Sequence, residues 1–279
     1  MKESIGSPLL NSNRLPHTSV RLLLVVVAAL IAGIMNAIAG GGTLVTFPAL
    51  VALGIPAIDA NATSTVALWP GAIGSLWGYR SELAGSRAWA LGFAGPSLLG
   101  GALGGWLLLH TSPERFAALV PWLVLGATVL FMIQRPVLRA FVSRAAAQGV
   151  TAEDDHQLTS RRPPGWILVF QFLVAVYGGY FGAGVGILML AALGFMGLRN
   201  IHRMNGLKNW GGLCMNAVAA TMFAFSSLVN WPVALSMAVG AMSGGYIGSR
   251  TAQRVPQSFM RGAVVIIGLA SGVLLYFNR

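Results

Sequence analysis

Charge is what this 279-residue chain has least of: Asp, Glu, Lys and Arg together make up 9%, against roughly 25% in soluble domains. Acidic groups are the scarcer kind, seven against eighteen basic ones. All seven stand in loops or tails rather than inside apolar runs. No pair of carboxylates is therefore available for acid–base work at membrane depth. Nor does any stretch resemble a nucleophile with its base, a phosphate-binding loop or a zinc helix. ATP-driven transport by this chain alone and carboxylate-based intramembrane catalysis are both disfavoured, and the expectation is a protein that is not an enzyme. The single cysteine, Cys214, lies in an apolar stretch, which excludes an intramolecular disulfide and a multi-cysteine metal site. His17, His110, His156 and His202 show no metal-ligand spacing, so no cofactor or metal is expected.

Apolar sequence is abundant. The chain is 56% hydrophobic with a mean hydropathy of +0.72, and nearly all of it divides into pieces of membrane-crossing length. A net charge of +11 would suggest nucleic acid as partner of a soluble protein. Here the basic residues fall between apolar runs and report loop orientation, so the expected partner is the lipid bilayer and not nucleic acid. The runs occupy about 21–39, 43–54, 61–79, 88–109 and 116–133, then 166–182, 186–198, 207–228, 232–249 and 260–277. Those at 43–54 and 186–198 are too short to cross a hydrocarbon core of about 30 Å and read as half-helices or re-entrant segments. Residues 1–20 read as a retained tail, because the first run ends in Gly40-Gly41-Gly42 without a signal-cleavage pattern. Gln134–Pro164 is the one long polar stretch and reads as a linker, helical in part of 137–147.

The two series repeat at an offset of 144. That shift places Gly40 on Gly184, Gly42 on Gly186, Asn61 on Asn205, Gly100-Gly101 on Gly244-Gly245 and Gly104 on Gly248. An offset of 143 places Pro113 on Pro256 and Phe116 on Phe259. The predicted architecture is an all-α polytopic membrane protein of two repeats, 21–133 and 165–279, with about five helical elements each and short broken or re-entrant helices among them. Five crossings per copy invert one copy relative to the other. With the linker 134–164 in the cytoplasm, Arg80, Arg87, Arg199, His202, Arg203, Arg250 and Arg254 all fall inside, while the loops around Asp59, His110–Glu114 and Asn230 fall outside. Lys2, Arg14, Arg21 and Arg279 run against this pattern. It favours both termini outside; four full spans per copy with re-entrant short elements is the competing topology.

The candidate site lies in the breaks. Gly40, Gly41 and Gly42 precede one short element, and Gly178, Gly179, Gly182, Gly184 and Gly186 lead into the other. A break at membrane depth exposes backbone groups that must find protein, water or a ligand, and the N–H groups of a half-helix suit an anion. Packing explains Gly100, Gly101, Gly104, Gly244, Gly245 and Gly248 better, since they have the GGxxG spacing of close helix contacts. Beyond the short elements come Asn61, Thr63, Ser64 and Thr65, then Asn205, Lys208 and Asn209. These are neutral donors and one cation able to hold a small oxyanion; they are equally the stuff of helix caps and interhelical bonds. Lys208 is a functional candidate by virtue of its depth, the other reading being a side chain that snorkels to the nearby surface. Asn36 and Gln171 are further intramembrane polar residues.

The run Ala39–Thr65, AGGGTLVTFPALVALGIPAIDANATST, resembles the N-terminal signature of the TauE/SafE sulfite exporter family, also called TSUP. That signature has a glycine triplet, a proline-containing short helix, a Gly-x-Pro turn and a polar helix start. Gly182–Asn209 resembles a weaker second copy, with Ala192 where the first has Pro48, and with Gly206 and Lys208 in the hydroxyl-rich region. The resemblance implies a carrier in the bacterial plasma membrane that exports small sulfur-containing anions such as sulfite, sulfoacetate or other organosulfonates. Alternating access between the two repeats would follow. An anion channel and a scaffold without transport are the alternatives. A proton-coupled carrier ordinarily offers an intramembrane Asp, Glu or His, and none is evident.

Overall fold

The computed structural model describes residues 15–38, 40–147, 152–251 and 257–277. Lys2, Arg14, Arg254, Arg279, Ala39, Pro256 and residues 148–151 of the linker lie outside these. Among the described residues the chain is all-α. The first series is α1 (Leu15–Ile38), α2 (Thr43–Ala52), α3 (Ala57–Gly78), α4 (Arg87–Leu109) and α5 (Pro113–Ala147). A polar helix α6 (Ala152–Ser160) follows, then α7 (Gly165–Tyr180), α8 (Val185–Phe195), α9 (Ile201–Ala224), α10 (Trp231–Thr251) and α11 (Gln257–Phe277).

Several helices begin earlier or end later than their apolar runs. α9 starts at Ile201 because Asn200 caps it, its Oδ1 accepting from the backbone N–H of His202 and Arg203. The polar turn that follows is invisible to hydropathy. α5 continues through Pro136 to Ala147, about 50 Å at 1.5 Å per residue, which exceeds the hydrocarbon thickness by roughly 20 Å. α2 stops short because Gly54 turns left-handed at φ +86°.

Helix contacts follow an exchange of α1–α5 for α7–α11: α1 and α3 pack on α10, as α7 and α9 pack on α4, while α3 meets α9 and α5 meets α11. Repeated glycines make the close approaches. Gly101 on α4 abuts the Met215 carbonyl of α9, and Gly245 on α10 abuts the Gly71 carbonyl of α3; Met215 stands 144 positions after Gly71. At the centre, Trp69 Nε1 donates to the Leu213 carbonyl at 3.2 Å, a residue 144 positions away.

The outer surface of the bundle is apolar where a soluble protein's would be polar. Leu99, Leu103 and Trp106 on one face of α4, Val169 and Leu173 on α7, and Leu235 and Val239 on α10 are exposed, whereas Asn61, Thr63, Ser64, Gln171, Asn205 and Lys208 are buried. Exposed apolar faces around a core that also holds buried polar groups call for hydrocarbon as solvent. By length and composition α4 and the Pro113–Ile133 part of α5 are sufficient to cross a membrane.

One end of the bundle gathers the linker with the polar turns. The buried Asp155 carboxylate of α6 accepts from the backbone N–H of Arg199 (3.1 Å) and Asn200 (2.8 Å). Arg203 donates to Thr159 Oγ1 and meets His156 Nε2, Asn200 Nδ2 donates to Glu82, and Trp89 Nε1 donates to the Leu158 carbonyl. The end of α10 joins them, Ser249 lying against Gly78. At the opposite end the Asn230 N–H donates to Thr63 Oγ1, and Tyr180 Oη meets Thr111 Oγ1. Arg80, Arg199, Arg203 and Arg250 therefore share the linker end.

Cβ atoms added at Gly104 and Gly248 would run into the Val176 carbonyl and Ile34 Cα respectively, while Gly95 has open space. Gly104→Leu and Gly248→Leu are each expected to cost about 1–3 kcal/mol by overpacking, read as a lower melting temperature in detergent, with Gly95→Leu unchanged.

Candidate functional site

Both breaks are built by left-handed glycines. After α1, Gly40 (φ +78°) and Gly41 (φ +98°) unwind the chain, and the Gly40 N–H reaches back to the Met35 carbonyl at 3.0 Å. After α7 the Gly182 N–H makes the same bond across five residues, to the Tyr177 carbonyl, with Gly182 (φ +80°) and Gly184 (φ +77°) left-handed. The first break is stapled by Asn36, whose Oδ1 accepts the Gly42 N–H at 2.7 Å. The second is stapled by Tyr177, whose Oη donates to the Ala183 carbonyl at 2.7 Å. The two breaks touch: a Cβ on Gly40 would stand 2.8 Å from Gly186 Cα, and one on Gly186 would stand 2.9 Å from Gly40 Cα.

A helix that ends within a membrane leaves carbonyls that need donors. Here the third helix of each series caps the first helix of the other. Lys208 Nζ, from α9, donates to the carbonyls of Asn36 (2.7 Å) and Ala37 (3.3 Å) at the end of α1. Asn61 Nδ2, from α3, donates to the carbonyl of Tyr180 (2.9 Å) at the end of α7. Lys208 is 3% exposed, and its described partners are neutral carbonyls rather than a carboxylate. The C-terminal end of α1 offsets at most about half a unit charge at Nζ.

A cavity of about 70 Å³ opens beside this junction. One water needs roughly 10–15 Å³ of such space, so several waters or a small oxyanion fit. Of the residues singled out in the sequence, Asn36, Gly40, Gly41, Thr65, Gly182, Gly186, Lys208 and Asn209 line it. Asn209 is 6% exposed and its Nδ2 has no partner, leaving a donor free beside the ammonium. Gly42, Asn61, Thr63, Ser64, Gly184 and Asn205 stand outside the wall. Gly42 is engaged by Asn36, Asn61 by Tyr180, Thr63 by Asn230, and Ser64 by Thr46 Oγ1 at 2.6 Å. Gly184 packs on Ala127, and Asn205 Oδ1 is buried without a partner.

The polar lining that sequence reasoning passed over is Thr43, Ser75 and Asn216, with Met189 and Met215 as apolar wall. A helical stripe would have found part of it. Thr65, Leu68, Ala72 and Ser75 lie on one face of α3, and Asn209, Gly212 and Asn216 on one face of α9. At the offset of 144, Thr65 corresponds to Asn209, Leu68 to Gly212 and Ala72 to Asn216.

A glycine-built double break, cross-capped beside a donor-rich cavity, occupies the same region as the quoted signature, and residues 25–275 match the sulfite exporter TauE/SafE family. The chain belongs to that family. Three relatives are similar along most of their length. Probable membrane transporter protein ORF9 of a Sinorhizobium species is 26% identical over 254 residues, covering 89% of this chain and 90% of the relative. A probable membrane transporter protein of Haemophilus influenzae is 28% identical over 257 residues, covering 89% and 92%. The probable membrane transporter protein YfcA of Escherichia coli K12 is 27% identical over 259 residues, covering 89% and 87%. No solved structure matches the chain. As a TauE/SafE family member, the protein is a membrane transporter.

Gly40→Ala and Gly186→Ala are each expected to force the breaks apart. Gly40 adds a left-handed strain of roughly 1–2 kcal/mol, and a Cβ on Gly186 would also stand 3.1 Å from Lys208 Cδ. Both variants should melt earlier than wild type and lose transport in proteoliposomes, whereas Gly212→Ala, in open space on the cavity side of α9, should melt normally.

Proposed function

We propose that this transporter is a secondary carrier that exports small sulfur-containing anions, such as sulfite, sulfoacetate or other organosulfonates, across a bacterial plasma membrane. The single observation that carries the anion reading is Lys208, a buried cation without a described carboxylate partner, standing with the unpartnered Asn209 amide at a cavity between two glycine breaks. The family description supports sulfur as the element carried. In this reading the anion contacts Lys208, Asn209, Thr43, Thr65 and the backbone at Gly40, Gly41, Gly182 and Gly186, while Gly42, Asn61, Thr63, Ser64, Gly184 and Asn205 hold those elements in place. No catalytic step is assigned.

Residues 21–133 and 165–279 act as two inverted repeats that alternate access around the site, and 134–164 is a cytoplasmic linker. Support comes from the exchange of helix partners and from the gathering of Arg80, Arg199, Arg203 and Arg250 at the linker end. Each short helix leads back to the end from which its series began: α8 runs into the Arg199–Asn200 turn on the linker, and α2 into the end that holds Thr63 and Asn230. That route makes the first two helices of each copy a re-entrant hairpin followed by three crossings, an odd number that inverts one copy relative to the other.

A binding screen of the purified protein against sulfite, sulfate, thiosulfate and small sulfonates tests the reading. At least one sulfur oxyanion should bind saturably and be taken up with counterflow by proteoliposomes. Lys208→Ala, removing a charged hydrogen-bond donor worth roughly 1.5–3 kcal/mol, should weaken binding by about 10- to 100-fold, with Lys208→Arg retaining part of it. Unchanged binding in Lys208→Ala overturns the site, and unsaturable flux without counterflow would make the protein a channel.

A further inference from the structure

The carbonyls capped at the two breaks are equivalent, but the groups that cap them are not. Asn36 and Tyr180 stand 144 positions apart, and each gives its carbonyl to a donor from the third helix of the other series. On Tyr180 the donor is the neutral amide of Asn61, which does not line the cavity. On Asn36 it is the ammonium of Lys208, which does. At the offset of 144 Lys208 replaces Ser64, and Asn205, the counterpart of Asn61, leaves its Oδ1 unpartnered. One cap is thus open to competition from an anion and the other is not.

Competition at Lys208 reaches the first break through a short chain of bonds. Nζ holds the Asn36 carbonyl at 2.7 Å, and the Asn36 side chain holds the Gly42 N–H at 2.7 Å, at the start of α2. An anion in the cavity attracts the ammonium by full charge, a neutral carbonyl only by its dipole. As Nζ turns toward the anion, the Asn36 carbonyl, on the cavity wall, passes to cavity water and the Asn36 staple loosens. The second break has no such chain. Its carbonyls are held by Asn61 and by Tyr177 Oη on Ala183, and no charged group is among these partners.

We propose that Lys208 is the positioning residue that couples anion occupancy to movement of the α1–α2 hairpin, and that Asn61 is the positioning residue that keeps the α7–α8 hairpin fixed. The carrier then works on one mobile hairpin rather than on two alternating ones. This inference rests on the anion site proposed above.

Distances between spin labels on the full-length protein in lipid nanodiscs, in a Cys214→Ser background, test it with sulfoacetate as probe. One label pair is Ala52→Cys at the end of α2 with Glu114→Cys. The other is Phe195→Cys at the end of α8 with Ser160→Cys. Saturating sulfoacetate should shift or broaden the first distance and leave the second unchanged. Lys208→Arg, which keeps charge and donors, should preserve that response. Asn61→Leu, which removes the amide donor, should broaden the second distance with or without the anion; Asn61→Ala serves if the leucine variant does not fold. Calorimetry on the same samples separates the two readings. Sulfoacetate that binds while both pairs move equally, or while neither moves, overturns the one-hairpin coupling and leaves the anion site standing. Failure of every oxyanion in the screen to bind overturns the site and the coupling with it.

Discussion

A backbone carbonyl at the end of a helix inside a membrane finds no partner in hydrocarbon, and much of this structure answers that constraint. α1 and α7 both stop within the bundle, and each hands its last carbonyls to a side chain from the opposite series. Meeting that need brings α9 to the end of α1 and α3 to the end of α7, and sets the two glycine breaks against each other at Gly40 and Gly186. A hydrocarbon surroundings raises the cost of an unpaired group to several kcal/mol, so these few bonds fix the centre of the protein more firmly than their number suggests.

Close packing serves the same end. α4 and α10 each present glycines to two neighbours, so backbones approach where side chains would keep them apart. The outer faces need no specificity because lipid accepts any apolar side chain. The inner faces of α3 and α9 carry the hydroxyls and amides, and these are the helices that touch at Trp69 and Leu213.

Much of this was legible in the sequence where the signal was compositional or repeated. The glycine triplet, the short apolar runs and the ordered coincidences at 144 residues announced broken helices, and Lys208 stood out as a cation among apolar neighbours. Less legible was which polar residue faces which way. Asn61, Thr63 and Ser64 share a cluster with Thr65, yet a rotation of 100° per residue sends Thr63 to Asn230, Ser64 to Thr46 and Thr65 to the cavity. Asn61 was readable as a donor to an anion or, somewhat more readily, as a cap or interhelical bond, and sequence alone could not show that its amide reaches the Tyr180 carbonyl. The length of α5 and the existence of α6 escaped hydropathy because both lie in polar sequence.

The bond from Trp69 to Leu213, at a separation of 144, lies where each copy meets its own image. Two identical chains related by a two-fold axis would put the same residue on both sides of such a point, tryptophan against tryptophan, and would carry either two lysines at the cavity or none. Joining the copies in one polypeptide removes that restriction. Here Ser64 stands where the offset of 144 places Lys208, so one polypeptide can put a cation on one side of its paired helices, where a symmetric homodimer would put it on both or on neither.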